Sequence, residues 1–269
     1  MPNDNKFAVL IDADNISDKY IQIILDEISN DGIATYKRIY GDWTKPALSS
    51  WKNVLLDYSI LPIQQYNYTN GKNSTDSSMI IDAMDILYSD QVDGFCLVSS
   101  DSDFTRLAAR LRESGMIVVG MGERKTPKPF ISACNRFKYL DILATTEYST
   151  QAKPAKTDKD AVKSKIVSSA RKEPNNSSPY TEFPSKVDMT NLETIKRAIR
   201  AIAVENSDED DWMFIGTIGN LLVKRYPDFD VRNFGFKKLT PFIESLDLFD
   251  IKSVRTQDSG VKLIYIKPK

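Results

Sequence analysis

A chain of 269 residues allows one large domain or two modest ones, and 41% hydrophobic residues are ample for a core. Its 36 Lys+Arg against 37 Asp+Glu leave a net charge of −1, so it is neither an acidic nor a basic polymer. Histidine is absent, which excludes Ser-His-Asp and Cys-His nucleophile systems, His-ligated zinc and carboxylate–imidazole acid/base pairs. The two cysteines, Cys96 and Cys134, form no C-x-x-C pair and read as small buried hydrophobes. The N-terminal MPNDNKFAVLID has no charged region leading into a long apolar stretch, and no apolar run approaches the ~20 residues that span a bilayer. A soluble, cytoplasmic protein is expected.

In chain order, Phe7–Ile11 is a short continuous apolar run, the form of a strand buried on both faces. Tyr20, Ile21, Ile24, Leu25 and Ile28 have helical spacing, and Asp31-Gly32 ends that helix. A strand over Tyr36–Tyr40, a helix over Ala47–Tyr58 and a strand over Leu61–Gln65 follow. Ser74 or Thr75 caps a helix through Leu87, whose stripe is Met79, Ile80, Ala83, Met84 and Leu87. Phe95–Ser99 reads as a strand, Phe104–Arg112 as a helix and Ile117–Gly120 as a strand. Such alternation predicts an α/β domain with a parallel sheet and helices on both faces. From 149 to 186 the text is rich in Lys, Ser, Pro and Asn and poor in large aliphatics, which predicts a flexible linker. The expected division is a first domain over 1–147, a linker over 148–187 and a second domain over 188–269. Residues 1–145 carry 15 Lys+Arg against 19 Asp+Glu, and the remainder 21 against 18, so positive charge gathers in the linker and tail.

Ligands bind open parallel sheets outside the carboxyl ends of the strands. The first strand ends in Asp12-Ala13-Asp14-Asn15, the strand at Phe95 ends in Ser99-Ser100-Asp101-Ser102-Asp103, and Asp76 opens a helix that starts from the same rim. Any one such Asp could simply cap a helix, worth about 1 kcal/mol. Several carboxylates converging from separate strands would instead repel one another unless a cation is present. Hard oxygen donors of this kind suit Mg²⁺ or Mn²⁺, and metal-assisted hydrolysis of a phosphodiester needs no histidine base. A rival chemistry starts from Asp12-Ala13-Asp14, which resembles the first motif of haloacid-dehalogenase-type phosphatases. That family needs a separate Ser/Thr, then a lysine, then an acidic pair. Here Ser99/Ser100 and Asp101/Asp103 share one strand end with no lysine between them, which puts this reading behind.

The segments FAVLIDADNI, KNSTDSSMIIDAMDIL, DGFCLVSSDSDFTRLAARLRESGMIVVGMG and TPKPFISACNRFKYL together resemble an NYN domain of the LabA-like group, within the PIN-like ribonuclease superfamily. The resemblance implies an α/β/α sandwich and a metal-dependent ribonuclease using Mg²⁺ or Mn²⁺. Carried over residue by residue, the catalytic and metal-site acids would be Asp12, Asp76, Asp101 and Asp103, with Asn15 positioning phosphate or water. Asp14, Asp82 and Lys72 are further candidates. Asp82 lies six positions beyond Asp76, a rotation of roughly 240° on a helix that takes it off the same face. Lys72 would contact phosphate or stay in a solvated loop; Ser100 would hydrogen-bond in the site or cap the next helix.

The tail from 188 to 267 resembles an OST-HTH/LOTUS domain, a winged-helix-like α+β module that binds RNA or protein partners. NFGFKKLTPFIESL carries most of this likeness. Helices over Asn191–Val204 and Ile218–Arg225 and one ending near Leu246 precede a hairpin of Phe249–Lys252 and Val261–Lys267. Over 188–269 the 13 Lys+Arg balance 13 Asp+Glu, so phosphate binding would need a local patch. Arg232, Lys237, Lys238, Lys252 and Arg255, with Lys262 and Lys267, are the candidates. Phe234 and Phe236 are expected in the core rather than as base-stacking platforms. The function expected is RNA phosphodiester hydrolysis targeted by the tail. The alternative is a non-catalytic regulator that binds RNA or a protein partner.

Overall fold

The computed structural model of the protein describes residues 5–66, 74–151, 189–208, 210–255 and 262–269. Lys72 and nearly all of the expected linker lie outside the described residues.

The first unit is a six-stranded parallel sheet in the order β3-β2-β1-β4-β5-β6. The strands are β1 (Lys6–Asp12), β2 (Ile33–Gly41), β3 (Leu61–Gln64), β4 (Gly94–Val98), β5 (Ile117–Gly122) and β6 (Arg136–Tyr139). Between and after them run α1 (Ile21–Ser29), α2 (Lys52–Leu55), α3 (Ser74–Tyr88), α4 (Thr105–Glu113), α5 (Lys128–Ala133) and α6 (Leu140–Gln151). Every residue of β4 is buried, as is β1 from Phe7 onward, because helices cover both faces. Alternate residues divide the strands between two cores. Phe7, Val9 and Ile11 join Ile21, Ile24 and Ile28 of α1 and Leu140 of α6. Ala8 and Leu10 face Met79 and Ala83 of α3, Leu107 and Leu111 of α4 and Phe130 of α5.

Sequence and structure differ in several elements. The helix expected over 47–58 is a 3₁₀ turn, Pro46–Trp51, followed by the single turn α2. The elements α5 and β6 were not foreseen, and α6 runs past the expected boundary at 147. Among the described residues no helix is long and apolar enough to cross a membrane.

The second unit packs α7 (Leu192–Asn206), α8 (Ile215–Arg225) and α9 (Leu239–Ser245) on a three-stranded antiparallel sheet. Its strands are β7 (Met213–Phe214), β8 (Phe249–Arg255) and β9 (Lys262–Pro268), in the order β7-β9-β8. Phe234 and Phe236 pack against the core, their rings 5.2 and 5.5 Å from that of buried Phe242.

The two units are docked against each other. The Phe137 amide of edge strand β6 donates to the Pro227 carbonyl at 2.7 Å, covering an otherwise open sheet edge. Buried Asp228 accepts from the Tyr139 hydroxyl at 3.2 Å and from the Thr190 amide and hydroxyl at 2.8 and 2.7 Å. Arg232 forks onto Glu27 of α1, which also takes Lys138 at 3.0 Å. Asp31 pairs with Lys138 and Arg136, and Asp230 pairs with Arg232, closing a network of three cations and three carboxylates.

Candidate metal centre

The strand order reverses direction between β1 and β4, and a crevice opens at such a switch point beyond the carboxyl ends. The chain places acids on both sides of it. Asp12 ends β1, Asp101 and Asp103 follow β4, and Asp76 lies in the first turn of α3, which packs beside β1.

Carboxylate oxygens of Asp76, Asp101 and Asp103 lie within 4.8 Å of one another. Asp12 is not in that group. It is 1% exposed, on the floor of the crevice, and its oxygens are already committed. Oδ2 accepts from the Ser99 hydroxyl and the Asn15 amide, each at 2.7 Å, and Oδ1 accepts from the Asp14 backbone at 3.1 Å. Asn15, expected to position phosphate or water, thus holds Asp12. Ser99 also accepts from the Asp101 amide at 3.0 Å, so one hydroxyl links the floor to the rim.

The electrostatics are those of crowded acids. Burial pushes Asp12 up from the ordinary carboxyl value, against its hydrogen bonds from Ser99 and Asn15. Asp76 is pushed up to about 6, first by burial and then by the charges of Asp12, Asp101, Asp103 and Asp14. Lys45 pairs with Asp14 at 3.0 Å, and Thr75 donates to the other oxygen of Asp14 at 3.1 Å. Three carboxylate donors converging at one rim fit a hard divalent cation.

The remaining candidates separate. Asp82 faces away and pairs with Arg38 and the Tyr40 hydroxyl. Ser100 is 7% exposed, and its hydroxyl accepts from the Glu123 amide at 3.0 Å, which joins the ends of β4 and β5 instead of presenting a group to phosphate. Gly122 permits that junction, since a Cβ there would lie 2.5 Å from the Ser99 carbonyl oxygen. Arg232 is spent on Glu27 and Asp230, a correction to its expected place in a phosphate patch. Lys237 and Lys238 are exposed just before α9, while Lys252 sits over the Trp212 ring at 5.1 Å. Arg255 and Lys262 are exposed near the hairpin tip, and Lys267 pairs with Asp211. Sequence reasoning missed Lys45 and Glu123; stopping β5 at Gly120 hid the second, because two more residues bring Glu123 to the rim.

The NYN domain family model matches residues 6–141, which includes every acid of the crevice. The chain belongs to the NYN domain family. This NYN domain is followed by an OST-HTH/LOTUS domain, whose model matches residues 190–259. Together they make a nuclease-like, RNA-associated protein, and PIN-like nucleases typically use divalent metal ions. No curated protein matches the chain. Among solved structures, a protein of unknown function from Vibrio parahaemolyticus is similar at 20% identity and a TM-score of 0.44, over 52% of this chain and 94% of that one. The phosphatase reading loses its footing here: a nucleophilic Asp12 would have to be accessible, and it is buried with both oxygens occupied.

Proposed function

We propose that the protein is a metal-dependent ribonuclease that hydrolyses RNA phosphodiester bonds with Mg²⁺ or Mn²⁺, and that its OST-HTH/LOTUS domain contributes RNA binding. The observation that carries this reading is the meeting of Asp76, Asp101 and Asp103 within 4.8 Å at the switch point of an NYN domain. Those three carboxylates would hold the ion. When bound, it supplies an activated water and charge stabilisation at the scissile phosphate, which relieves this chain of needing a histidine base. Asp12 adds negative charge from the floor, and Ser99 and Asn15 fix its carboxylate so that it does not swing into the space the phosphate needs. The Asp103 amide donates to Asp101 at 2.9 Å, which orients that carboxylate before any ion arrives.

The test is cleavage of a labelled single-stranded RNA in Mn²⁺ by the full chain, by Asp101→Asn and by wild type in chelator. Cutting by wild type, lowered on the order of 100-fold or more by either treatment, is the expected result. RNA that is bound but left intact by wild type would make the protein a non-catalytic regulator.

A further inference from the structure

We propose that the seam between the two domains is a binding trench for the sugar–phosphate backbone of single-stranded RNA. The ligand class rests on the nuclease reading above; the site is separate from the acidic crevice. Two adjoining cavities of about 440 and 770 Å³ share Ser132, Arg225 and Pro227, so they form one trench between α5 and the second domain. Both domains supply cations to it: Arg112, Lys128 and Arg136 from the first, Lys224 and Arg225 from the second. The lining contains one carboxylate, buried Asp228, which is saturated by Tyr139 and Thr190. In a chain of net charge −1 this is a strong local segregation of charge.

Not all five cations are available. Arg136 is neutralised by Asp31, and Arg225 approaches Glu205 at 3.4 Å. Arg112, Lys128 and Lys224 are exposed and have no carboxylate partner among the described residues. Arg112 is also held in place. Its guanidinium donates to the Ser132 and Cys134 carbonyls at 3.1 and 3.4 Å, which fixes the side chain across the wall without cancelling its charge. Such a cation loses little freedom when it takes up a phosphate.

The position suits a strand that also visits the crevice. Lys128 opens α5 directly after the rim loop that follows β5, so the trench begins at the rim, and Arg136 and Arg112 carry it along α5 toward the amino ends of the strands. A recess walled by two domains admits a flexible single strand, whereas a stiff duplex would bridge over it.

The test measures binding alone, on the full chain in chelator, with a labelled 20-nucleotide single-stranded RNA across a range of salt. The triple variant Arg112→Gln, Lys128→Gln, Lys224→Gln is compared with Lys6→Gln, Lys52→Gln, Arg200→Gln, which removes the same charge from exposed positions outside the trench. The trench variant is expected to bind about 10- to 100-fold more weakly at 0.1 M salt. Its slope of log affinity against log salt should be shallower by about 2, from ~0.7 per lost phosphate contact. The proposal is overturned if the control triple loses as much, if the trench triple binds like wild type, if wild type does not bind, or if duplex RNA binds as tightly as the single strand. Because no cleavage is read, the trench stands if the protein binds in this pattern and does not cut, and the nuclease reading stands if it cuts while this pattern is absent.

Discussion

Removing the negative charge of Asp76 is expected to stabilise the metal-free protein. Its carboxyl is raised from 3.8 to about 6, by burial first and then by the surrounding acids. At ~1.4 kcal/mol per pH unit the shift corresponds to about 3 kcal/mol. Asp76 is only half buried, so solvent screening brings this nearer 1–2 kcal/mol. The α3 N-terminus offsets about a third of that, since its dipole favours a negative charge by ~0.5 kcal/mol. The sign follows from proton binding. The folded form holds the Asp76 proton more tightly than the unfolded form, so stability falls as pH rises from about 4 to about 6 and stays low above it. In chelator at pH 7.5, Asp76→Asn should therefore melt about 2–5 °C above wild type, and the gap should close near pH 4.5. Millimolar Mn²⁺ should reverse the order, because only wild type keeps all three donors and gains stability by mass action. A metal-free Asp76→Asn that melts at or below wild type at pH 7.5 would refute the claim that these acids strain one another.

Three further outcomes can be checked by denaturation or scattering. Ser99→Ala removes a buried donor to Asp12 and the acceptor of the Asp101 amide, and should cost about 1–3 kcal/mol in urea unfolding while slowing cleavage. Gly122→Ala drives a methyl group against the Ser99 carbonyl and should destabilise by about 2 kcal/mol or more, with activity lost alongside. Burial alone would raise the Glu27 carboxyl, but the Arg232 hydrogen bonds and the charges of Lys138 and Arg232 outweigh it and hold the group below its ordinary value. Docking through Glu27 is therefore complete at neutral pH and is lost as pH falls below the usual carboxylate range, which scattering should record as an increase in radius of gyration.

The strands nearest the crevice were legible because burial on both faces leaves an unbroken apolar run, as in Phe7–Ile11 and Phe95–Val98. The acids after them were legible because a parallel sheet sends all its carboxyl ends to one rim. That Asp12 would sit behind the other three was not. Its depth depends on Ser99, one strand away, and no local pattern reports a bond across a sheet. Strand β6 was hidden for a related reason. Arg-Phe-Lys-Tyr alternates charge with aromatics like a solvated edge, yet Lys138 points into Glu27 and Asp31, and its partners lie more than 100 residues earlier. Arg232 misled in the same way. In sequence it joins a basic stretch, and only the docked structure reveals that its charge is already used.

The docking network is better suited to orienting the second domain than to strengthening its attachment. A buried ion pair roughly breaks even against an apolar contact of the same size, because desolvating both charges offsets most of their attraction. Losing one member is different: without Arg232, Glu27 keeps only Lys138, and about 2 kcal/mol or more of docking free energy should go with it. Three cations matched to three carboxylates satisfy one another in a single arrangement, whereas an apolar patch would tolerate sliding. The Phe137 to Pro227 backbone bond adds to this, since it sets the register of the second domain along β6. An interface of that kind keeps Lys224 and Arg225 opposite Arg112 and Lys128. A second domain free to wander on its linker would leave both walls as scattered surface charge, too weakly organised to hold a strand.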